Sequence, residues 1–267
     1  MDTMKVFVCT DIEGVAGVVS FTTHSYPDGK YYEACKKLLT AEINAAVEGM
    51  LECGVDEIVV LDGHGPGGIT FEDLHPAAKL IHGRPLAPWS VLDEEIKRCD
   101  VGIMIGQHAM AGIVDGNLSH TQSSMAIDSY TLNGRPIGEI AQFALHIGAF
   151  GLPMIYLSGD DAACREVEEL IPGIKTVSVK KGLSRNSAKS LSAIAARQKI
   201  REGMKLALQR QQENPLQPLV WEGPFVLDKR YFHTDTADSA AARPGAERVD
   251  SQTVRLRSEN IKDIIYA

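Results

Sequence analysis

Several common features are missing from this sequence, and each absence narrows the range of functions. The 267 residues include only five cysteines, at irregular spacing and without a C-x-x-C pair, so neither a zinc knuckle nor a redox motif is predicted. We expect reduced thiols and a cytoplasmic protein. Neither a signal-peptide pattern nor an apolar stretch of the roughly 18 residues that span a bilayer is found, so no membrane association is expected.

Clusters of lysine and arginine are also absent, and the formal net charge is −8. A nucleic-acid surface needs clustered basic side chains to neutralise phosphates, so no nucleic-acid partner is predicted. The sequence contains no G-x-S-x-G elbow, no Walker A pattern and no G-x-G-x-x-G after a strand. Small molecules or short peptides are the expected partners.

What the sequence does contain is a regular alternation of apolar runs and amphipathic stretches. Buried strands are predicted at 4–10, 57–62, 78–83, 101–108, 153–161 and 174–181. Helices are predicted at 30–54, 137–150, 162–171 and 187–211. Parallel strands need crossover helices, so the fold class is α/β, with a largely parallel sheet flanked by helices.

Two further patterns concern the division of the chain and a local turn. The proline-punctuated segment 213–224 resembles a linker, which predicts an α/β metal-binding catalytic domain at 1–212 and a smaller α+β portion at 213–267, packed on the first. Alternating strands and a short terminal helix are expected in that tail. An Asn-Gly turn signal at 133–134 precedes Pro136, which we place in the first turn of the following helix.

Polar side chains follow four of the predicted strands. In open α/β sheets, ligands bind outside the carboxyl ends of the strands, so these four junctions are candidate functional positions. The junction residues are Asp11 with Glu13, Asp62 with His64, Gln107 with His108, and Asp160 with Asp161.

The first junction pairs two carboxylates. Residues i and i+2 of an extended chain point to the same side, so Asp11 and Glu13 can address one cation while Ile12 faces the core. Close carboxylates repel each other, and a divalent ion removes the repulsion. Capping by Asp11 and solvation of Glu13 explain the pair equally well when it is taken alone.

Histidines stand at the next two junctions. His64 lies in a glycine-rich turn and His108 directly follows an apolar run, positions from which a side chain projects into a cleft. Each one alone is as readily explained as a hydrogen-bonded turn residue. Together with the two carboxylates, however, they match the oxygen and nitrogen ligands expected for zinc or a similar divalent metal.

Two residues downstream are additional candidates. Glu139 lies in the first turn of its predicted helix, where it either interacts with the helix dipole or is aimed inward by Pro136 and Gly138. His120 lies in a loop rich in glycine, serine and asparagine, where a histidine near a metal can exchange a proton at neutral pH.

Seven ordered sequence blocks resemble the dizinc D-aminopeptidases of the DppA type. The blocks are DIEGVAG (11–17), DGHG (62–65), GQHA (106–109), LSHT (118–121), NGRPIGE (133–139), SGDDAA (158–163) and EELIPGIKTVSVKKGLSR (168–185). The resemblance implies an aminopeptidase that hydrolyses short peptides, including substrates with an N-terminal D-amino acid, and a ring-shaped homo-oligomer, a decamer of two pentamers.

The resemblance also implies a role for each ligand-type residue. Asp11 corresponds to the carboxylate that bridges two Zn²⁺ ions, and Glu13 to a ligand of one ion. His64 and His108 correspond to the imidazole ligands of the second ion, and Glu139 to the carboxylate that completes the first site.

His120 occupies the place of the catalytic histidine, and the substrate amino group needs an acceptor. Asp160 and Asp161 are candidate acceptors, although capping of the following helix explains them as well. Two alternatives to an aminopeptidase stay open. One is a metal-dependent hydrolase of another amide or a phosphoester, and the other is a non-catalytic protein that binds an anion or small ligand at the GHGPGG turn (63–68).

Overall fold

Strands separated by helices form the centre of the molecule, in a computed structural model that describes residues 4–267. The strands are β1 Met4–Thr10, β2 Val55–Asp62, β3 Ala78–Ile81, β4 Val101–Gln107, β5 Ile127–Leu132, β6 Arg135–Ile137, β7 Met154–Asp160, β8 Lys175–Ser184, β9 Ser187–Ser190, β10 Phe225–Tyr231, β11 Glu247–Arg248 and β12 Thr253–Ser258. The α-helices are α1 Tyr32–Glu52, α2 Trp89–Ile96, α3 Glu139–Gly148, α4 Asp161–Leu170, α5 Ala193–Glu213, α6 Thr234–Ala241 and α7 Ile261–Ile264.

The larger sheet has seven strands in the order β3-β2-β1-β4-β7-β8-β9. All neighbours are parallel except β8 and β9, which confirms the prediction of a largely parallel α/β sheet. At the end of β1, Thr10 pairs with Asp62 of β2 and with Ile105 of β4. The carboxyl ends of β2, β1 and β4 therefore lie side by side.

Helices cover both faces of this sheet. Val6 and Val8 of β1 pack with α1 and α5 on one face, whereas Phe7 packs with α2, α3 and α4 on the other. A strand buried on both sides explains why β1 is apolar throughout rather than alternating. No helix among the described residues combines the length and apolar character needed to cross a membrane.

The second sheet is antiparallel, with the order β11-β12-β10-β5-β6. It joins strands from 127–137 with strands from the C-terminal segment, because β10 pairs with β5. The tail is thus attached to the middle of the chain by a shared sheet. The division of the chain into units at 1–212 and 213–267 stays a prediction. Residues 1–3 lie outside the described part.

The region around the Asn-Gly turn differs from its prediction. Asn133 and Gly134 adopt φ values of 51° and 77°, and the turn joins β5 to β6 as a hairpin. Pro136 lies in strand β6, not in a first helical turn, and α3 begins at Glu139. The Asn-Gly turn signal for a hairpin therefore outweighs the signal of Pro136 for a first helical turn.

Three helical assignments also need correction. Residues 187–190 form strand β9, and the helix predicted from 187 begins only at Ala193, after Ser192 caps it by accepting a hydrogen bond from the Ala195 amide. Helices α2 and α6 were not predicted, and α6 interrupts the expected run of tail strands. Each has eight residues and buries at most two side chains, so its apolar periodicity is too weak to detect.

Glu42 on α1 is a buried acid that supports the segment after β1. Its side chain is 3% exposed, Oε1 accepts a hydrogen bond from the Ala16 amide at 3.0 Å, and Oε2 has no hydrogen-bond partner among the described residues. Burial raises the pKa of Glu42 from 4.5 to about 7. The folded protein therefore disfavours the ionised form.

This burial predicts a pH-dependent stability difference between the protein and its Glu42→Gln variant. Because the folded-state pKa lies above the unfolded value, the contribution of Glu42 to stability is fully present below pH 4.5. It is lost as the pH rises through about 7. As the pH rises across that window, the free energy of unfolding of the variant, measured in urea, should increase by about 3 kcal/mol relative to that of the parent. The reason is that one pKa unit corresponds to about 1.4 kcal/mol. The exposed Glu33→Gln on the same helix is the control. A pH-independent difference for Glu42→Gln would contradict the prediction.

Candidate metal centre

Six candidate residues converge at the carboxyl edge of the larger sheet. Asp11 follows β1, His64 follows β2 and His108 follows β4, and these three strands are neighbours. Glu13 lies in the turn after β1, His120 lies in the segment between β4 and α3, and Glu139 is the first residue of α3. The sheet thus brings together residues that are up to 128 positions apart in the sequence.

Two glycines allow the turn after β1 to lie against β4. The Gly14 amide donates to the Gly106 carbonyl at 2.7 Å, and the Asp11 amide donates to the Ile105 carbonyl at 2.9 Å. A Cβ atom at Gly14 would lie 2.0 Å from the Gln107 carbonyl oxygen, and one at Gly106 would lie 2.0 Å from that of Asp11. Any side chain at either position would push the acidic turn away from His108.

Asp11 lies at the centre of the cluster. Its Oδ1 is 3.1 Å from His64 Nδ1, and its Oδ2 is 3.1 Å from His108 Nε2. Glu13 Oε2 is 3.2 Å from the same His64 nitrogen, and Glu139 Oε1 is 3.5 Å from the same His108 nitrogen. Each carboxylate oxygen of Asp11 therefore faces a different imidazole, and each imidazole has a second carboxylate beside it.

The histidine rings are held by backbone carbonyls. His64 Nε2 lies 2.9 Å from the Ser25 carbonyl oxygen, and His108 Nδ1 lies 2.9 Å from that of Ala109. A carbonyl only accepts, so these ring nitrogens carry the protons. In the neutral ring, the opposite nitrogen, which faces the carboxylates, carries the electron pair that a metal ion would accept. Metal-binding histidines are oriented in this way in proteins.

The geometry fits a bound cation better than hydrogen bonding alone. Glu13 Oε2 and His108 Nε2 are buried and have no aligned hydrogen-bond partner in the described structure, despite oppositely charged groups at 3.1–3.5 Å. Two sets of ligand atoms lie within 4.8 Å of one another: Asp11, Glu13 and His108, and His108, His120 and Glu139. Carboxylate oxygen with imidazole nitrogen is the donor set of zinc sites.

Electrostatics at this centre favour positive charge. Burial alone would raise the pKa of Asp11, but the adjacent imidazoles of His108 and His64 outweigh burial and hold that pKa well below its ordinary value. Burial would likewise lower the pKa of each of these imidazoles, and the adjacent carboxylates instead raise both pKa values well above the ordinary one. The site stabilises a cation, whether a proton or a metal ion carries the charge.

His120 lies at the margin of the cluster. Its ring stacks on that of His108 with centroids 4.0 Å apart, and its Nε2 is 3.8 Å from Glu139 Oε1. Nδ1 lies 2.9 Å from the Leu118 carbonyl oxygen, which fixes the proton there. Burial, reinforced by His108, lowers the pKa of His120. A neutral imidazole with a free Nε2 electron pair thus lies beside the candidate ligands.

Glu139 is the first residue of α3, and its side chain is turned toward the cluster. Gly138 before it is extended, and Oε1 accepts a hydrogen bond from the Gln122 amide at 2.7 Å. A Cβ at Gly138 would come within 2.4 Å of Met110 Cβ, so the entry to the helix requires glycine. The helix start therefore serves to position this carboxylate beside His108.

Known proteins resemble this chain over nearly its whole length. The sequence profile of the D-aminopeptidase family matches residues 4–267. The chain belongs to the D-aminopeptidase family. A D-aminopeptidase of Bacillus subtilis (strain 168) is 30% identical over 269 residues, covering 99% of this chain and 95% of the relative. The solved structure of the Zn-dependent D-aminopeptidase DppA from Bacillus subtilis, described as a self-compartmentalizing protease, superposes with a TM-score of 0.90 at 28% identity, covering 98% and 94% of the two chains.

One detail of the family resemblance, the assignment of ligands to the two ions, stays a prediction. The resemblance implied His64 and His108 as ligands of the same ion. Here the two imidazoles face opposite oxygens of Asp11, with His64 beside Glu13 and His108 beside Glu139. The observed grouping therefore pairs each imidazole with its own second carboxylate.

The fourth strand junction carries structural hydrogen bonds. Asp160 is fully buried and caps α4, accepting from the Ala163 amide at 2.7 Å and from the Asn117 amide at 3.0 Å. Asp161 accepts from the Gly182 amide and pairs with Arg165. A substrate-binding role for Asp160 and Asp161 stays a prediction. The structure does not favour it, because their carboxylate oxygens already accept hydrogen bonds from the backbone.

The glycine-rich turn after β2 has few amides to offer an anion. The Gly63 amide donates to the Thr10 carbonyl and the Gly67 amide to the His64 carbonyl. Both carboxylate oxygens of Asp62 accept from the Gly68 amide, at 2.9 and 3.0 Å. These internal bonds shape the turn around His64 and weaken the alternative of an anion-binding protein.

Lys180 is a residue of the site that the sequence did not reveal. Its side chain is 2% exposed, and Nζ donates to the Glu13 and Val18 carbonyls and, at 2.8 Å, to Asn117 Oδ1. The ammonium group thus joins the acidic turn to the loop that carries His120. A lysine in a strand with an exposed neighbour, Lys181, gives no sequence signal of such burial.

Proposed function

We propose that this member of the family is a zinc-dependent aminopeptidase that hydrolyses short peptides carrying an N-terminal D-amino acid. The observation that carries the proposal is the position of Asp11, with one oxygen toward His64 and Glu13 and the other toward His108 and Glu139. Two cation positions that share one carboxylate explain this arrangement. Family membership and the zinc-dependent structural relative support the choice of metal and reaction.

We infer two zinc ions per chain. Asp11, Glu13 and His64 would hold one, and Asp11, His108 and Glu139 would hold the other. When bound, zinc lowers the pKa of a water molecule toward neutrality and polarises the substrate carbonyl. The burial of these side chains excludes bulk water and strengthens their electrostatic effect on a bound substrate.

His120 is the proton carrier in this proposal. Hydrolysis adds hydroxide to the carbonyl carbon, breaks the carbon–nitrogen bond and delivers a proton to the leaving amine. Because Leu118 holds the proton on Nδ1, Nε2 is the atom free to take up a proton and pass it on. The lowered pKa keeps the ring neutral before reaction, which suits a group that must first accept that proton.

A homo-oligomer, and by family resemblance a decamer, is part of the proposal. The structural relative is described as self-compartmentalizing, which supports self-assembly. Sedimentation at equilibrium should give a mass of several chains of 29.0 kDa each, and a single-chain mass would rule out assembly.

A cytoplasmic location also stays a prediction, supported by the five free cysteines.

The metal content of two variants tests the proposed roles of the carboxylates. The parent protein, loaded with zinc and dialysed, should hold two ions per chain by elemental analysis. Asp11→Ala should lose both, because it removes the shared ligand, whereas Glu13→Ala should retain about one. Glu33→Ala, which removes an exposed carboxylate of α1, is the matched control and should retain two. Fewer than one ion in the parent, or equal losses in Asp11→Ala and Glu13→Ala, would contradict these roles.

Replacement of His120 separates proton transfer from metal binding. His120→Ala should retain both zinc ions and lower kcat toward D-alanyl-D-alanine about 10²- to 10⁴-fold, the usual contribution of a positioned acid or base. His82→Ala, which removes an exposed histidine, serves as control. Undiminished turnover in His120→Ala would remove the residue from the mechanism. Loss of zinc would instead make it a ligand.

A further inference from the structure

Two cavities flank the metal centre. Both are bounded by the same four residues, Asp11, Gly63, Gln122 and Glu139, which stand between them. One cavity, here the outer cavity, has a volume of about 260 Å³ and contains His120 in its wall. The other, here the inner cavity, has a volume of about 250 Å³ and is not lined by His120.

The outer cavity has a largely polar wall. Tyr26, Ser123 and Ser124 line it together with His120, and the Tyr26 hydroxyl lies 2.8 Å from Ser124 Oγ. Hydroxyl groups of this kind suit the peptide backbone and charged carboxyl terminus of a short peptide.

The inner cavity lies at the carboxyl ends of β1, β2 and β4, and its wall is more apolar than polar. Leu61, Leu86, Trp89, Met104 and Tyr266 line it, and the Trp89 and Tyr266 rings stack with centroids 4.1 Å apart. Polar groups also line this cavity: besides Asp11, Gln122 and Glu139, which it shares with the outer cavity, they include Thr10 and Gln107.

The position of His120 gives the direction of the substrate. A proton carrier must reach the nitrogen of the bond that breaks, so the leaving part of the peptide lies on the side of His120. That side is the outer cavity. The residue that contributes the carbonyl group, which in an aminopeptidase is the N-terminal residue, then lies on the opposite side of Asp11 and Glu139.

We propose that the inner cavity holds the side chain of the substrate's N-terminal residue and selects large apolar side chains. The inference rests on the proposed aminopeptidase function and adds its substrate class. A cavity of about 150 Å³ is enough to hold benzene, so about 250 Å³ accommodates a leucine, methionine or phenylalanine side chain. Alanine would leave most of the apolar wall uncovered.

Dipeptides that differ only in the first residue test this assignment. With zinc-loaded protein, kcat/KM for D-leucyl-D-alanine and D-phenylalanyl-D-alanine should exceed that for D-alanyl-D-alanine at least tenfold, since each buried methylene contributes to discrimination. Changing the second residue from D-alanine to D-leucine should have a smaller effect. Equal kcat/KM for all first residues would overturn the inference.

Two variants test the wall itself. Leu86→Trp reduces the space and should lower kcat/KM for the D-phenylalanyl substrate at least tenfold while D-alanyl-D-alanine is still hydrolysed. Tyr266→Ala removes an aromatic wall and should raise KM for the large substrates about tenfold, with kcat little changed. Tyr31→Ala, at a tyrosine that is 47% exposed, is the matched control. Zinc content and thermal unfolding of each variant monitor the fold.

The outcomes distinguish this inference from the proposed function. The cavity assignment would be overturned if Leu86→Trp lowered turnover equally for every first residue. It would also be overturned if the variant changed the preference for the second residue instead. Either result would leave the aminopeptidase function standing. Failure of the zinc-loaded parent to hydrolyse any dipeptide would overturn both.

Discussion

The site depends on one carboxylate shared between two imidazoles. Asp11 directs one oxygen to His64 and the other to His108, each at 3.1 Å, at the edge where three parallel strands end together. A buried carboxylate with a single partner would be an ordinary ion pair. Two partners, each accompanied by a second carboxylate, create two neighbouring positions for positive charge. The remaining features of the site keep these positions in place.

The framework that holds Asp11 is rigid because it is made of close backbone contacts and buried hydrogen bonds. Gly14 and Gly106 allow the acidic turn to lie against β4 at distances that no side chain would permit. Lys180 of β8 joins that turn to the loop of His120 through Asn117. Buried polar groups of this kind stabilise the structure only when they are all satisfied, so loss of one contact would loosen both loops.

Much of this arrangement is predictable from sequence, and the exceptions have physical causes. Apolar runs followed by Asp11, His64 and His108 indicate parallel strands, and parallel strands bring their ends to one edge. Pairings that depend on tertiary contact are not encoded locally. The burial of Lys180 and the position of the short helix carrying Trp89 each depend on contacts with distant segments. Local sequence patterns therefore predict which residues converge at this edge, but neither their grouping around Asp11 nor the cavity beside them.

The shared carboxylate can be observed directly. Crystals of the zinc-loaded protein, measured at energies on either side of the zinc absorption edge, would locate each ion by anomalous scattering. The account predicts two peaks per chain, one against His64 and Glu13 and the other against His108 and Glu139, with Asp11 bound to both. A single peak, or His64 and His108 on the same ion, would contradict it.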